Sequence, residues 1–208
     1  ILNTDNNGTF TVKDSATTLA ANTSLINGKA VVIDDTNNIA ATVAELNAIQ
    51  AVASSLTYTK LRDSSANIRA NTANGAITDV EGIAVTVTTA SDATQFAAIL
   101  TAATANGANG TVAGAVADAG SALTDIDFPD ATSITATISN ANDLTAVTLD
   151  SDVTHIDLNN VSNVLLDIND LTSRTITVNG GTYKVKDTAS ALAGAAASLL
   201  SDQTIVIN

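Results

Sequence analysis

Oxygen ligands dominate the chemistry open to this chain. Nineteen Asp accompany only Glu45 and Glu81, and many stand two or three residues apart: Asp125, Asp127 and Asp130, then Asp150 and Asp152, then Asp167 and Asp170. Ca²⁺ takes about six to eight oxygens, and Asp/Asn alternation in tight turns offers carboxylates and carbonyls together. Asp5-Asn6-Asn7-Gly8 and Asp167-Ile168-Asn169-Asp170 have that character. The residues expected to ligate Ca²⁺ are therefore Asp5, Asn7, Asp125, Asp127, Asp150, Asp152, Asp167 and Asp170. Neither turn contains the complete loop of an EF-hand. The competing use of the same side chains is to close solvated Asx-turns on their own backbone. No cofactor is required by anything in the sequence, and Ca²⁺ is the one metal these residue types suit.

Paired carboxylates also serve glycosidases and polysaccharide lyases. Such enzymes usually add aromatic platforms for sugar rings and cations near the scissile bond. Between Asp79 and Asp170 there is no Lys, Arg, Tyr or Trp. His155 is the only histidine, and its nearest serines, Ser151 and Ser162, sit in no nucleophile-elbow context. The residues point away from an enzyme.

Charge narrows the partners. The formal net charge is −13, and the 13 acidic residues from Asp79 to Asp170 meet no cation between Arg69 and Arg174. Such a chain repels nucleic acid and anionic membranes at long range. No apolar run approaches the roughly 18–20 residues of a membrane span. There is no Cys, so disulfides and Cys-based zinc sites are out. The sequence starts at Ile1 with neither an initiator Met nor a signal peptide, as a processed product or an internal segment would.

The elements that must position these carboxylates repeat. GTFTVKDSATTLAA, from Gly8 to Ala21, answers to GTYKVKDTASALAG, from Gly181 to Gly194, an offset of 173 residues. Val31-Val32-Ile33-Asp34 then answers to Ile205-Val206-Ile207-Asn208. A weaker copy runs through Tyr58, Leu61, Arg62, Asp63, Ser64 and Ile68. Each unit reads as an alternating Val/Ile/Thr strand, an Asp-Ser/Thr helix start and a short Ala/Leu helix. Strand starts are expected near Thr9, Ala30, Leu56, Ala84, Thr132, His155, Thr175 and Thr204. With 45% hydrophobic residues but only 2% aromatic, the core must be built from aliphatic side chains. That suits thin layers in which each coil repeats the last.

VKDSATTLAANTSLI and VKDTASALAGAAASLL resemble units scattered through very large repetitive surface and secreted proteins of Gram-negative bacteria and cyanobacteria, S-layer-like or adhesin-like and often type I secreted. The resemblance covers about half of the chain. It implies an extracellular or cell-surface location and a structural role, and it transfers no catalytic residue. The glycine-rich nonapeptide of Ca²⁺-binding surface repeats is absent.

The expected fold is mainly β with short helices: an elongated right-handed β-solenoid, or α/β-solenoid, of stacked strand–helix coils. Residues 1–99 form a strand–helix repeat region, and 100–131 a Gly/Ala/Asn-rich insertion or loop. Residues 132–208 form a β-solenoid-like region ending in a copy of the first unit. The expected function is structural, in an S-layer, sheath, fibre or appendage whose subunits join through terminal strands. Thr204, Ile205, Val206 and Ile207 are the assembly residues, the main partner is a second copy, and cell-surface polysaccharide is a further partner. An adhesin or an ice- or glycan-binding module is the alternative, for which Thr86, Thr88, Thr135 and Thr137 alternate suitably.

Overall fold

The computed structural model describes residues 10–34, 36, 39–70, 80–141, 144 and 147–208. The chain divides into two compact units, Ile1–Ala90 with Thr94–Gly114, and Ser91–Ala93 with Ala115–Asn208.

In the first unit β1 (Thr11–Asp14), β2 (Ala30–Ile33) and β3 (Ser55–Thr57) pair in parallel in that order. Between them lie α1 (Ala16–Ala21), α2 (Thr23–Ile26) and α3 (Val43–Gln50). Then come β4 (Lys60–Asp63), α4 (Ser65–Arg69), β5 (Ala84–Val87), α5 (Ala93–Ala103) and β6 (Thr111–Ala119), of which Ala93 and the residues of β6 after Gly114 fall in the second unit. The strands alternate as half-buried strands must: in β5 Val85 and Val87 are buried while Ala84 and Thr86 are exposed. Leu19, Ile26, Ile49, Phe96 and Ile99 fill the interior. Burying each of these large side chains contributes about 1.5–3 kcal/mol.

The second unit continues with β7 (Ala131–Thr137), β8 (His155–Asp157), β9 (Val164–Leu166), α6 (Ile168–Ser173), β10 (Thr175–Thr177) and β11 (Tyr183–Asp187). It closes with α7 (Ala189–Gly194), α8 (Ala197–Leu200) and β12 (Ile205–Ile207). Its core is aliphatic, with Ile138, Ile156, Leu158, Leu166 and Val185 fully buried.

The solenoid expectation is corrected. The structure is a mixed α/β fold with three separate parallel sheets and eight short α-helices among the described residues, and no sheet closes on itself. The sheet orders are β1-β2-β3, β10-β8-β7-β6-β5-β4 and β12-β11-β9. The physical reason is strand length. Most strands span three to five residues and stop at a polar corner, and at four places, β3 to β4, β8 to β9, β9 to β10 and β10 to β11, the next strand joins a different sheet. β3 and β4 are separated by only Tyr58 and Thr59 yet pair in different sheets, and β9 and β10, with α6 between them, also part company.

Residues 100–131, read from composition as an insertion or loop, hold the end of α5 and all of β6. Their small side chains answer a packing demand. A Cβ on Gly110 would collide with the Ala103 carbonyl oxygen, and one on Gly114 would lie 2.9 Å from Val87 Cβ. Glycine at these places lets backbone approach backbone.

Candidate functional site

The repeated Asp-Ser/Thr pair places the Ser or Thr, not the Asp, at the N-cap. Ser15, Ser64 and Thr188 accept from the backbone N–H of Thr18, Asn67 and Ala191 at 3.2 Å each. The Asp before each turns its Oδ1 onto the next backbone N–H, at 2.7 Å for Asp14, 2.8 Å for Asp63 and 2.7 Å for Asp187. A second oxygen then reaches back to the preceding segment. Asp63 Oδ2 accepts from Val43 N–H at 3.0 Å, and Asp187 Oδ2 from Ile168 N–H at 3.2 Å. Asp118, at the end of β6, makes the same pair, from Ala119 N–H at 2.7 Å and Ala93 N–H at 3.0 Å.

Val43, Ala93 and Ile168 are each the first residue of a helix, whose N–H has no intrahelical acceptor. One carboxylate thus joins two segments 19–25 residues apart in sequence. Charge-assisted bonds of this kind are about twice as strong as neutral ones.

The acids expected to ligate Ca²⁺ divide between turns and helix caps. Asp150 accepts from Asp152 N–H at 2.9 Å and from Ile126 N–H at 3.3 Å, which ties the turn at 150–152 to the segment carrying Asp125 and Asp127. Asp125, Asp127 and Asp152 are exposed. Asp5 and Asn7 lie outside the described residues. Among the described residues no three His, Asp or Glu side chains converge to hold a metal ion.

Asp167 and Asp170 form a capping box at the start of α6. Asp167 Oδ1 accepts from Asp170 N–H at 2.7 Å, and Asp170 Oδ2 from Asp167 N–H at 3.4 Å. Arg174 Nη1 meets Asp170 Oδ1 at 2.7 Å, with the two side chains only 4% and 15% exposed. Its Nη2 donates to the carbonyls of Leu149 and Asp150 at 3.3 and 3.1 Å, and its buried Nε–H has no hydrogen-bond partner among the described residues. Burial pushes the Asp170 carboxyl above the ordinary aspartate range, and the adjacent Asp167 charge adds to it, outweighing the pull of Arg174. A cavity of about 200 Å³ opens here, with Arg174, Asp167, Asp170 and Asn169 in its wall.

Arg174 and Asp118 were missed as sites in the sequence. The signal for Arg174 was present: it is the first cation after Arg69 and stands four residues after Asp170, one helical turn away.

His155 Nδ1 is 2.8 Å from Thr154 Oγ1. Thr86 is registered between Arg62 and Ala113, and Thr135 and Thr175 lie on either side of His155.

The chain matches no family model, no curated protein and no solved structure.

Proposed function

We propose that this chain is a structural unit of an extracellular or cell-surface assembly, extended by adding a parallel strand to β12, the partner being a second copy. One observation carries the reading. β12 is the outer strand of its sheet, and Ile205 and Ile207 on it are 39% and 64% exposed. Its inner side is used by β11, through Val185 N–H to the Thr204 carbonyl at 3.0 Å and Asn208 N–H to the Asp187 carbonyl at 3.1 Å. Natural edge strands are commonly blunted by Lys, Pro or a bulge. Thr204, Ile205, Val206 and Ile207 carry none of these. The resemblance to repetitive bacterial surface proteins supports the location. We assign no catalytic role.

Light scattering across a concentration series, with electron microscopy, tests this. The wild-type chain should grow into oligomers or filaments. The double variant I205K/I207K, and deletion of residues 204–208, should stay monomeric with an unchanged circular dichroism spectrum. Equal growth by a folded variant sinks the reading.

A further inference from the structure

The same strand–helix motif stands in two places, and its outer edge is filled in only one of them. Val12 registers on Val31 and Asp14 on Ile33, as Val185 registers on Ile205 and Asp187 on Ile207. β1 and β2 thus repeat β11 and β12 in sequence and in register. On its other side β11 carries β9, with Val164 on Tyr183 and Leu166 on Val185, and both β9 residues are fully buried. β1 is instead the outer strand of its sheet. We propose that the free edge of β1 receives β12 of a second copy, so that subunits join head to tail. This rests on the surface-assembly reading and names the surface that β12 meets.

The edge of β1 is shaped for an apolar strand. A groove of about 310 Å³ opens along it, with Phe10, Val12, Leu19 and Leu25 in its wall, and Leu25 is more than half exposed. Asp14 marks the same side. Its counterpart Asp187 takes an N–H from a preceding segment on Oδ2, as Asp63 and Asp118 do. Asp14 is exposed and uses Oδ1 on Ser15 N–H, while its Oδ2 meets no partner among the described residues.

The filled edge says what the open one takes. β12 and the residue after it read Ile205-Val206-Ile207-Asn208 where β9 reads Val164-Leu165-Leu166-Asp167, three apolar residues and then Asn or Asp. In the β9 register Ile205 falls on Phe10 and Ile207 on Val12, so the two exposed isoleucines of β12 enter the groove. The pairing also holds from the side of β12. Its counterpart β2 carries β3 with Leu56 on Val31, and Phe10 on Ile205 repeats that apolar pair. Lys13 does not blunt the edge, because β11 pairs on both sides with Lys184 and Lys186 in its length. Main-chain bonds of the added strand give affinity and its alternate side chains give specificity. β12 on β1 is a heterologous contact, which builds open filaments where its rotation closes no ring.

Sedimentation velocity on two blocked variants and their mixture tests this. I205K/I207K blocks β12, and V12K/L25K blocks the β1 groove. Each alone should stay monomeric with an unchanged circular dichroism spectrum. The equimolar mixture should stop at a dimer, since each partner keeps one intact edge. Cysteine trapping adds a milder pair of substitutions in a chain that has no cysteine of its own. Adjacent strands lie about 4.8 Å apart, within disulfide reach, so oxidising V12C mixed with I207C should give mainly the mixed dimer. The β1 assignment is overturned, with strand addition at β12 left standing, if I207C pairs mainly with itself or if folded V12K/L25K grows like wild type. A mixture that stays monomeric beside a growing wild type overturns it too. A wild-type chain that never associates overturns both readings.

Discussion

Two helices of this molecule begin with the same reciprocal motif and reach opposite electrostatic results. At α3, Thr42 Oγ1 accepts from Glu45 N–H at 3.3 Å and Glu45 Oε2 accepts from Thr42 N–H at 2.8 Å. At α6 the corresponding bonds, through Asp167 and Asp170, are 2.7 and 3.4 Å. Burial pulls the Glu45 carboxyl upward, but bonds from the Thr17 hydroxyl at 2.7 Å and from Thr42 hold it below its ordinary value. Asp170 moves the other way because its surroundings are drier and, secondly, its capping partner is itself an anion. A capping box therefore fixes geometry, while the charge of the N-cap residue and the depth of burial decide which way the acid titrates. Only the drier box has recruited an arginine.

The comparison breaks most forcefully at that arginine. Arg174→Met leaves Asp170 buried without its cation and strips the donor from two carbonyls. It should cost about 3–5 kcal/mol, read as a lowered urea midpoint at unchanged slope. Removing either hydroxyl that bonds Glu45, on Thr17 or Thr42, should cost far less.

A smaller effect separates the caps themselves. Thr42→Ala should cost about 1 kcal/mol, the usual loss of a neutral N-cap. Asp167→Ser keeps an N-cap oxygen but removes the like charge, so it should cost less and bring the Asp170 titration down. Carboxyl-carbon NMR measures that titration directly, and an unmoved Asp170 would remove the neighbouring charge as a cause.

The smallest effect is the pH dependence, and its signs should oppose. The Glu45 stabilisation is present above its ordinary value of 4.5 and is lost as pH falls through its lower folded value. Asp170, raised from 3.8, contributes stability below that value and loses it as pH rises through its higher folded one. Glu45 is half-exposed, so solvent screening limits its share to a few tenths of a kcal/mol. Denaturation midpoints of E45Q and wild type should converge at the acid end and part as pH rises; a gap independent of pH would refute the account.

The strands were legible wherever alternation and branching coincided. β2, β5, β8 and β10 begin at Ala30, Ala84, His155 and Thr175, where the pattern placed them. β6 escaped because its small residues, Gly114 among them, look like low-complexity loop when the reason for their size lies on a neighbouring strand, at Val87. The division into three sheets escaped for a related reason. Period-two alternation says which face is buried, but it is silent on which neighbour a three-residue strand will choose. At the site, the Asp-Ser/Thr pairs announced helix starts. Their second oxygen, bound some twenty residues back, could not be read from local spacing.

That second oxygen gives the molecule a direction. Each reaching carboxylate belongs to the later segment and each orphan amide to the earlier one, as with Asp63 and Val43, Asp118 and Ala93, and Asp187 and Ile168. During synthesis an emerging segment leaves its first helical amide unanswered until the next segment leaves the ribosome and closes it. Losing a later segment strands a donor against the core, whereas losing an earlier one merely returns a carboxylate to water. In each of these three links the charged partner therefore follows, along the chain, the amide it answers.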